Sequence, residues 1–142
     1  MILVDVNVLV GGLRSDSVHH VICRNLLEDA LAGPRRFGVT PLCLSAMVRI
    51  VTNPKIFKTA DQPATALDFC GLLLDAPSSV VVEPGERHWA IFADLCIRMN
   101  ARGNLVPDAW FAALAIEHGC EWVTLDRGFA QFPALQWRLL RR

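Results

Sequence analysis

The sequence predicts an α/β protein, a three-layer α/β/α sandwich around a mainly parallel sheet of about five strands. Three observations predict it. Short β-branched runs alternate with longer segments of helical spacing, as strands joined by crossover helices do. The 142 residues, 53% of them hydrophobic, suit one compact domain over 1–142 with a sizeable core. No repeat, low-complexity tract or long linker breaks the alternation.

The elements follow in order. "ILVDVNVL" reads as a first strand buried on both faces. "SVHHVICRNLLEDALAG" has helical spacing, with Val18, Val21, Ile22, Leu26, Leu27 and Ala30 on one face and Gly33 as its stop. "RFGVTP" is a short strand, and "LSAMVRIV" a short helix ending before Pro54. "ATALDFCGLLLDA" is a helix closed by Pro77, and "SVVVEP" the next strand. "GERHWAIFADLCIRMNAR" is an amphipathic helix with Trp89, Phe92, Ala93, Cys96 and Ile97 inward. "PDAWFAALAIEHG" is a helix with Pro107 at its entry and Gly119 past its end. "CEWVTLD" is a strand, "GFAQF" a turn of helix and "QWRLL" an edge strand.

Composition narrows the function classes. Formal net charge is zero, so the chain as a whole is not a basic nucleic-acid glue. Its cations are almost all arginine, with Lys55 and Lys58 the only lysines. The five cysteines are scattered and form no CxxC pair, which argues against a zinc site or a redox motif and for buried, reduced thiols. No apolar run approaches the roughly 20 residues of a membrane span, and the N-terminus has no signal-peptide pattern. A soluble, cytoplasmic protein is expected.

One acid, Asp5, interrupts the opening run "MILVDVNVLV". An ionised carboxylate is costly in such surroundings unless something pairs with it or binds it. In open α/β sheets ligands bind beyond the C-terminal ends of the strands. Asp5 lies toward that end of the first strand, Asp126 ends "EWVTLD", and Asp108 opens the helix leading back to that strand. Three acids from distant parts of the chain can therefore meet at one rim. Crowded carboxylates stay ionised only around a cation, and all-oxygen ligands select a hard divalent ion, Mg²⁺ or Mn²⁺. Such an ion supports phosphodiester hydrolysis. Two blander readings stay open: Asp108 as a first-turn acid favoured by the helix dipole, and Asp126 as a turn residue.

"MILVDVNVLV", "LSAMVRIVTNP" and "GNLVPDAWFAALAIEHGCEWVTLDRGF", in that order and spacing, resemble the PIN-domain ribonucleases, and in particular the VapC toxins of bacterial toxin–antitoxin pairs of the mycobacterial type. The resemblance covers essentially the whole chain, and the last segment is its most specific motif. It implies a PIN-like fold and hydrolysis of RNA, often transfer RNA, with Mg²⁺ or Mn²⁺. It also implies a homodimer silenced by a VapB-type antitoxin. Asp5, Asp108 and Asp126 match the family's metal-binding and catalytic acids, the latter two in "DAxxAAxA" and "TxDRxF". Thr124 matches the hydroxyl that orients the site, and Asn7, beside Asp5, is placed to bond a ligand carboxylate or water.

There is one departure. The common pattern puts a glutamate three residues before an arginine on the helix after the second strand, and here Ala46 precedes Arg49. Either water or another acid completes the site, or turnover is impaired and the chain binds antitoxin or RNA without cleaving. Asp16, in "LRSDSVHH", is the candidate substitute acid, against an N-cap reading. His19 and His20 adjoin it and raise a general-base reading that a metal-activated water does not need. Arg49 either binds RNA phosphate or pairs with a site carboxylate. Arg35, Arg36, Lys55, Lys58, Arg98 and Arg102 are either a basic lining across a dimer groove or scattered solvated charge. A haloacid-dehalogenase-type phosphatase wants a second acid where Asn7 stands, and a phospho-receiver wants paired acids before its aspartate. Neither pattern fits.

Overall fold

The computed structural model describes residues 1–141. Five parallel strands form one sheet in the order β3-β2-β1-β4-β5. They are β1 (Ile2–Val4), β2 (Phe37–Val39), β3 (Ser79–Val81), β4 (Glu121–Thr124) and β5 (Trp137–Leu139). Six helices flank the sheet: α1 (Val6–Leu13), α2 (His20–Ala32), α3 (Pro41–Val51), α4 (Pro63–Asp75), α5 (His88–Arg98) and α6 (Leu105–His118). A 3₁₀ turn (Arg127–Gln131) separates β4 from the edge strand β5. The central strands carry the buried residues Leu3, Val4, Phe37, Val39, Trp122 and Val123, as expected of a sheet covered on both faces. The strand order reverses beside β1, so the fold's switch point lies where β1 ends.

The opening run differs from expectation. The strand stops at Val4, and Val6–Leu13 is a helix. Asp5 is not inside a strand. It is the N-cap, and its carboxylate accepts from the Val6 N–H at 2.6 Å. An apolar run buried on every side carries no period to separate strand from helix. The close packing of α1 on α2 explains "GG". A Cβ on Gly11 would stand 2.7 Å from Cys23 Sγ, and one on Gly12 would meet the Leu27 side chain.

Two helical faces also differ. In α2 Cys23 and Leu27 are buried and Ile22, Leu26 and Ala30 pack against the core as expected, while Val18 (before the helix) and Val21 are exposed. In α5 His88 and Leu95 are buried and Phe92 and Cys96 pack against the core as expected, while Trp89 is 66% and Ile97 81% exposed. Both segments carry apolar residues around more than one face, so spacing alone does not fix their rotation. Trp89 packs on Phe92, which meets Trp110 edge-on. Two helices also start earlier than expected: α3 opens at Pro41, inside the stretch read as the second strand, and α6 opens at Leu105 rather than Pro107. Pro63 opens α4, and Gly119 closes α6 as expected, in the left-handed region at φ 64°.

Candidate metal centre

The site is built at the switch point. Asp5 caps α1 directly after β1, Asp108 sits in the first turn of α6, and Asp126 follows β4. Asp5 is 9% exposed, Asp108 half-buried and Asp126 exposed. Burial pushes the Asp5 carboxyl up to about 6, and the Asp108 and Asp126 charges push the same way, against hydrogen bonds from Thr124 and Val6. Burial, then the Asp126 charge, raises Asp108. The three carboxylates therefore feel one another, and none of the charges acting on Asp5 or Asp108 is positive.

A hydrogen-bond network fixes Asp5. Thr124, fully buried, donates its hydroxyl to Asp5 Oδ2 at 2.6 Å. The Asn7 amide donates to the same oxygen at 3.2 Å and to Thr124 Oγ1 at 3.3 Å, while its carbonyl accepts from the Leu125 N–H. The Asp126 N–H donates to Thr124 Oγ1 at 2.9 Å, and the Asp126 carboxylate accepts from the Gly128 N–H at 2.7 Å. Asn7 and Thr124 thus tie the end of β1 to the end of β4. Both side chains bond Asp5 directly.

A cleft of about 420 Å³ opens beside this network, lined by Asp5, Asp108 and Phe111 on one side and by Ser45, Ala46 and Arg49 of α3 on the other. Ala46 therefore faces the acids without supplying an oxygen. Arg49 is exposed and forms no ion pair or hydrogen bond among the described residues, which favours the phosphate reading over the carboxylate one. Cys43 lies beneath the cleft on α3, its thiol kept protonated by burial and by the Asp5 charge.

Asp16 is placed elsewhere. Its carboxylate accepts two hydrogen bonds from the Arg14 guanidinium, at 2.6 and 2.9 Å, so it neither lines the cleft nor caps α2. Arg14 is the residue that sequence reasoning missed. It is 8% exposed, and it also donates to Asp61 Oδ2 at 3.1 Å and to the Thr59 carbonyl at 2.8 Å. Its only signal is an arginine closing an apolar helix two residues before an acid. His20 bonds the Gly11 carbonyl and lies outside the cleft, as does His19. Glu117 accepts from the Gly85 and Arg87 N–H groups and so anchors the entry to α5.

The PIN-domain profile matches residues 2–135. The chain belongs to the PIN-domain family. Among curated proteins it is 40% identical over 138 residues to Ribonuclease VapC43 of Mycobacterium tuberculosis, covering 97% of this chain and 94% of that one. It is 36% identical over 136 residues to Ribonuclease VapC25 of the same organism, covering 96% of each. A solved VapBC2 complex from Rickettsia felis, bound to a promoter DNA fragment, shares the PIN fold with a TM-score of 0.73 at 15% identity, over 97% of each chain. Mycobacterium tuberculosis VapC20, described as a sarcin–ricin loop cleaving toxin, does so with a TM-score of 0.68 at 14% identity, over 96% of this chain and 99% of that one.

PIN-domain ribonucleases are generally divalent-metal dependent, and the donor chemistry of this PIN domain fits a hard cation. The acids of the rim offer carboxylate oxygens, these repel one another, and burial with its neighbours' charges raises the carboxyl of Asp5, the most buried of them. The fit is loose, since among the described residues no three acid, histidine or cysteine side chains converge tightly enough to hold an ion alone. Mg²⁺ tolerates this, because it keeps several waters and uses one or two carboxylates together with substrate phosphate.

Proposed function

We propose that this chain is the toxin of a VapBC-type toxin–antitoxin pair, an endoribonuclease that hydrolyses RNA phosphodiesters, chiefly in transfer RNA, with Mg²⁺ or Mn²⁺. The observation that carries the reading is the rim of three mutually repelling carboxylates, two of which, Asp5 and Asp108, line an open cleft, with no positive charge among those acting on either. The names of the curated relatives support the same reaction.

Asp5, Asp108 and Asp126 would hold the cation, which when bound supplies an activated water and positive charge against the phosphodiester. Asp5 is aimed by its neighbours: Val6 occupies one oxygen, and Thr124 and Asn7 the other. An ionised carboxylate has about four acceptor sites, so this network leaves room for one further partner. Arg49, across the cleft and free of carboxylates among the described residues, binds a phosphate oxygen. Phe111 and Ile50 give the cleft apolar wall.

The partners in this reading are an RNA substrate, a VapB-type antitoxin and a second copy of the chain. Exposed Leu67, Leu72, Trp89 and Ile97 provide apolar surface for protein contacts. No helix among the described residues is long and apolar enough to cross a membrane, and the setting is cytoplasmic in this reading.

Ala46 favours a second reading, a PIN-fold module that binds antitoxin or RNA without turnover, because its methyl group faces the acids where the family's glutamate would. One experiment separates the two. A total transfer-RNA pool is incubated with the purified chain in Mg²⁺ or Mn²⁺, with and without chelator. The nuclease reading expects cleavage that the chelator stops. Cleavage that survives the chelator sinks metal dependence, and RNA binding without cleavage at any metal concentration establishes the second reading.

A further inference from the structure

We propose that the segment 52–62, pinned to the body of the protein by Arg14, extends the cleft as a binding path for the RNA backbone, with Lys55 and Lys58 as its phosphate contacts. This rests on the nuclease reading and adds where the substrate strand lies.

The segment begins where the cleft wall ends. Arg49 and Ile50 line the cleft at the end of α3, and the chain then turns at Asn53. The Asn53 carbonyl accepts from the Ile56 and Phe57 N–H groups, its side chain accepts from the Lys55 N–H, and the Asp61 N–H returns to the Val51 carbonyl. The loop has no helix or strand of its own, yet it is closed at both ends. Arg14 holds its middle. The guanidinium donates to the Thr59 carbonyl at 2.8 Å, pairs with Asp61 and lies 3.9 Å from the centroid of the Phe57 ring.

The charge pattern tells what the loop presents. From Arg49 to Ala60 the chain carries three cations and no acid. Its only two lysines are here, both exposed and without an acidic partner among the described residues. Some exposed cations elsewhere are paired, Arg24 with Glu28, Arg98 with Asp94 and Arg138 with Glu121. The first acid after the run, Asp61, is paired with Arg14, which it shares with Asp16. The clasp thus offsets part of the nearest negative charge while fixing the backbone that bears the lysines. A protein of zero net charge has no general attraction for RNA, so a local path continuous with Arg49 supplies it where cutting occurs.

The test is binding of fluorescently labelled transfer RNA in chelator, across a salt series, with cleavage by the unaltered chain in Mn²⁺ measured beside it. Lys55→Ala with Lys58→Ala should raise Kd roughly tenfold and make the log Kd–log salt slope shallower by about 1.4, since each single-strand phosphate contact contributes about 0.7. Arg14→Leu, assayed well below its melting temperature, should also flatten the slope, which a merely less stable fold would not do. Arg98→Ala should leave Kd and slope unchanged. A lysine variant with wild-type Kd and slope, from a chain that still cleaves, overturns the path and leaves the nuclease reading standing. An unaltered chain that neither binds nor cleaves RNA overturns both.

Discussion

The rim at the end of β1 and the clasp at the end of α1 both gather aspartates, and they balance them in opposite ways. At the clasp, Asp16 and Asp61 share one buried guanidinium, and every donor of Arg14 that the structure engages meets an oxygen. At the rim, Asp5 and Asp126 meet hydroxyl, amide and backbone N–H donors, and the Asp108 and Asp126 charges act on Asp5. A cluster that carries its own counter-charge holds the fold together. One that lacks it makes the fold less stable until a cation arrives from outside. The two regions should therefore respond differently to mutation, pH and metal.

The largest effect should come from Asp5→Asn. Loss of one ligand should lower cleavage at least about 100-fold, the upper end of what altering a ligand's supporting partner costs. The same change should stabilise the metal-free protein, because asparagine still caps α1 while the buried charge is gone. The native carboxyl titrates near 6 against 3.8 for an ordinary aspartate, so its contribution to stability is full below pH 4 and is lost as pH rises through 6. At pH 7 that loss is up to about 3 kcal/mol, which Asp5→Asn should recover. Chelator-treated protein melted at pH 4 and pH 7 checks this: the variant's advantage should be present at pH 7 and vanish at pH 4. An equal advantage at both would mean that charge at the rim is not the cause.

Arg14→Leu should do the reverse, lowering stability at neutral pH whether or not metal is present. Loss of the hydrogen bonds to the Thr59 carbonyl and Asp61 costs about 2 kcal/mol. For a domain of this size that is a fall in Tm of about 4–8 °C. If added Mn²⁺ restored the loss, the clasp and the rim would not be separate devices.

The two regions were unequally legible in the sequence. The rim was readable because its acids lie at the ends of predicted strands and in a motif-bearing helix, where topology alone brings them together. Only the exact role of Asp5 was misplaced, since "MILVDVNVLV" hides a strand-to-helix junction inside one apolar run. The clasp was not readable. Arg14 looks like any surface arginine until its burial is known, and its partners at 59 and 61 are far along the chain with no pattern to connect them. The rotations of α2 and α5 escaped for a related reason, because exposed Val21, Trp89 and Ile97 make the apolar stripe wider than the buried one. Period fixes that a helix is buried, but neighbours decide which of its apolar residues are covered.

The smallest effect sharpens the comparison most. Ala46→Glu adds a fourth acid to the wall facing Asp5 and Asp108, without adding a cation. If the rim is an unbalanced charge cluster awaiting metal, the metal-free variant should melt slightly lower than the unaltered chain. Its melting temperature should then rise more steeply with Mn²⁺, as a roughly tenfold gain in affinity from one more charged ligand would require. The added rise should fade as pH falls below 6, where Asp5 takes up a proton in competition with the ion. A glutamate that leaves the Mn²⁺ dependence unchanged would mean that α3 stands too far from the acids to share an ion with them. Ala46 would then mark not a missing ligand but a cleft left open for the substrate's own phosphate oxygen.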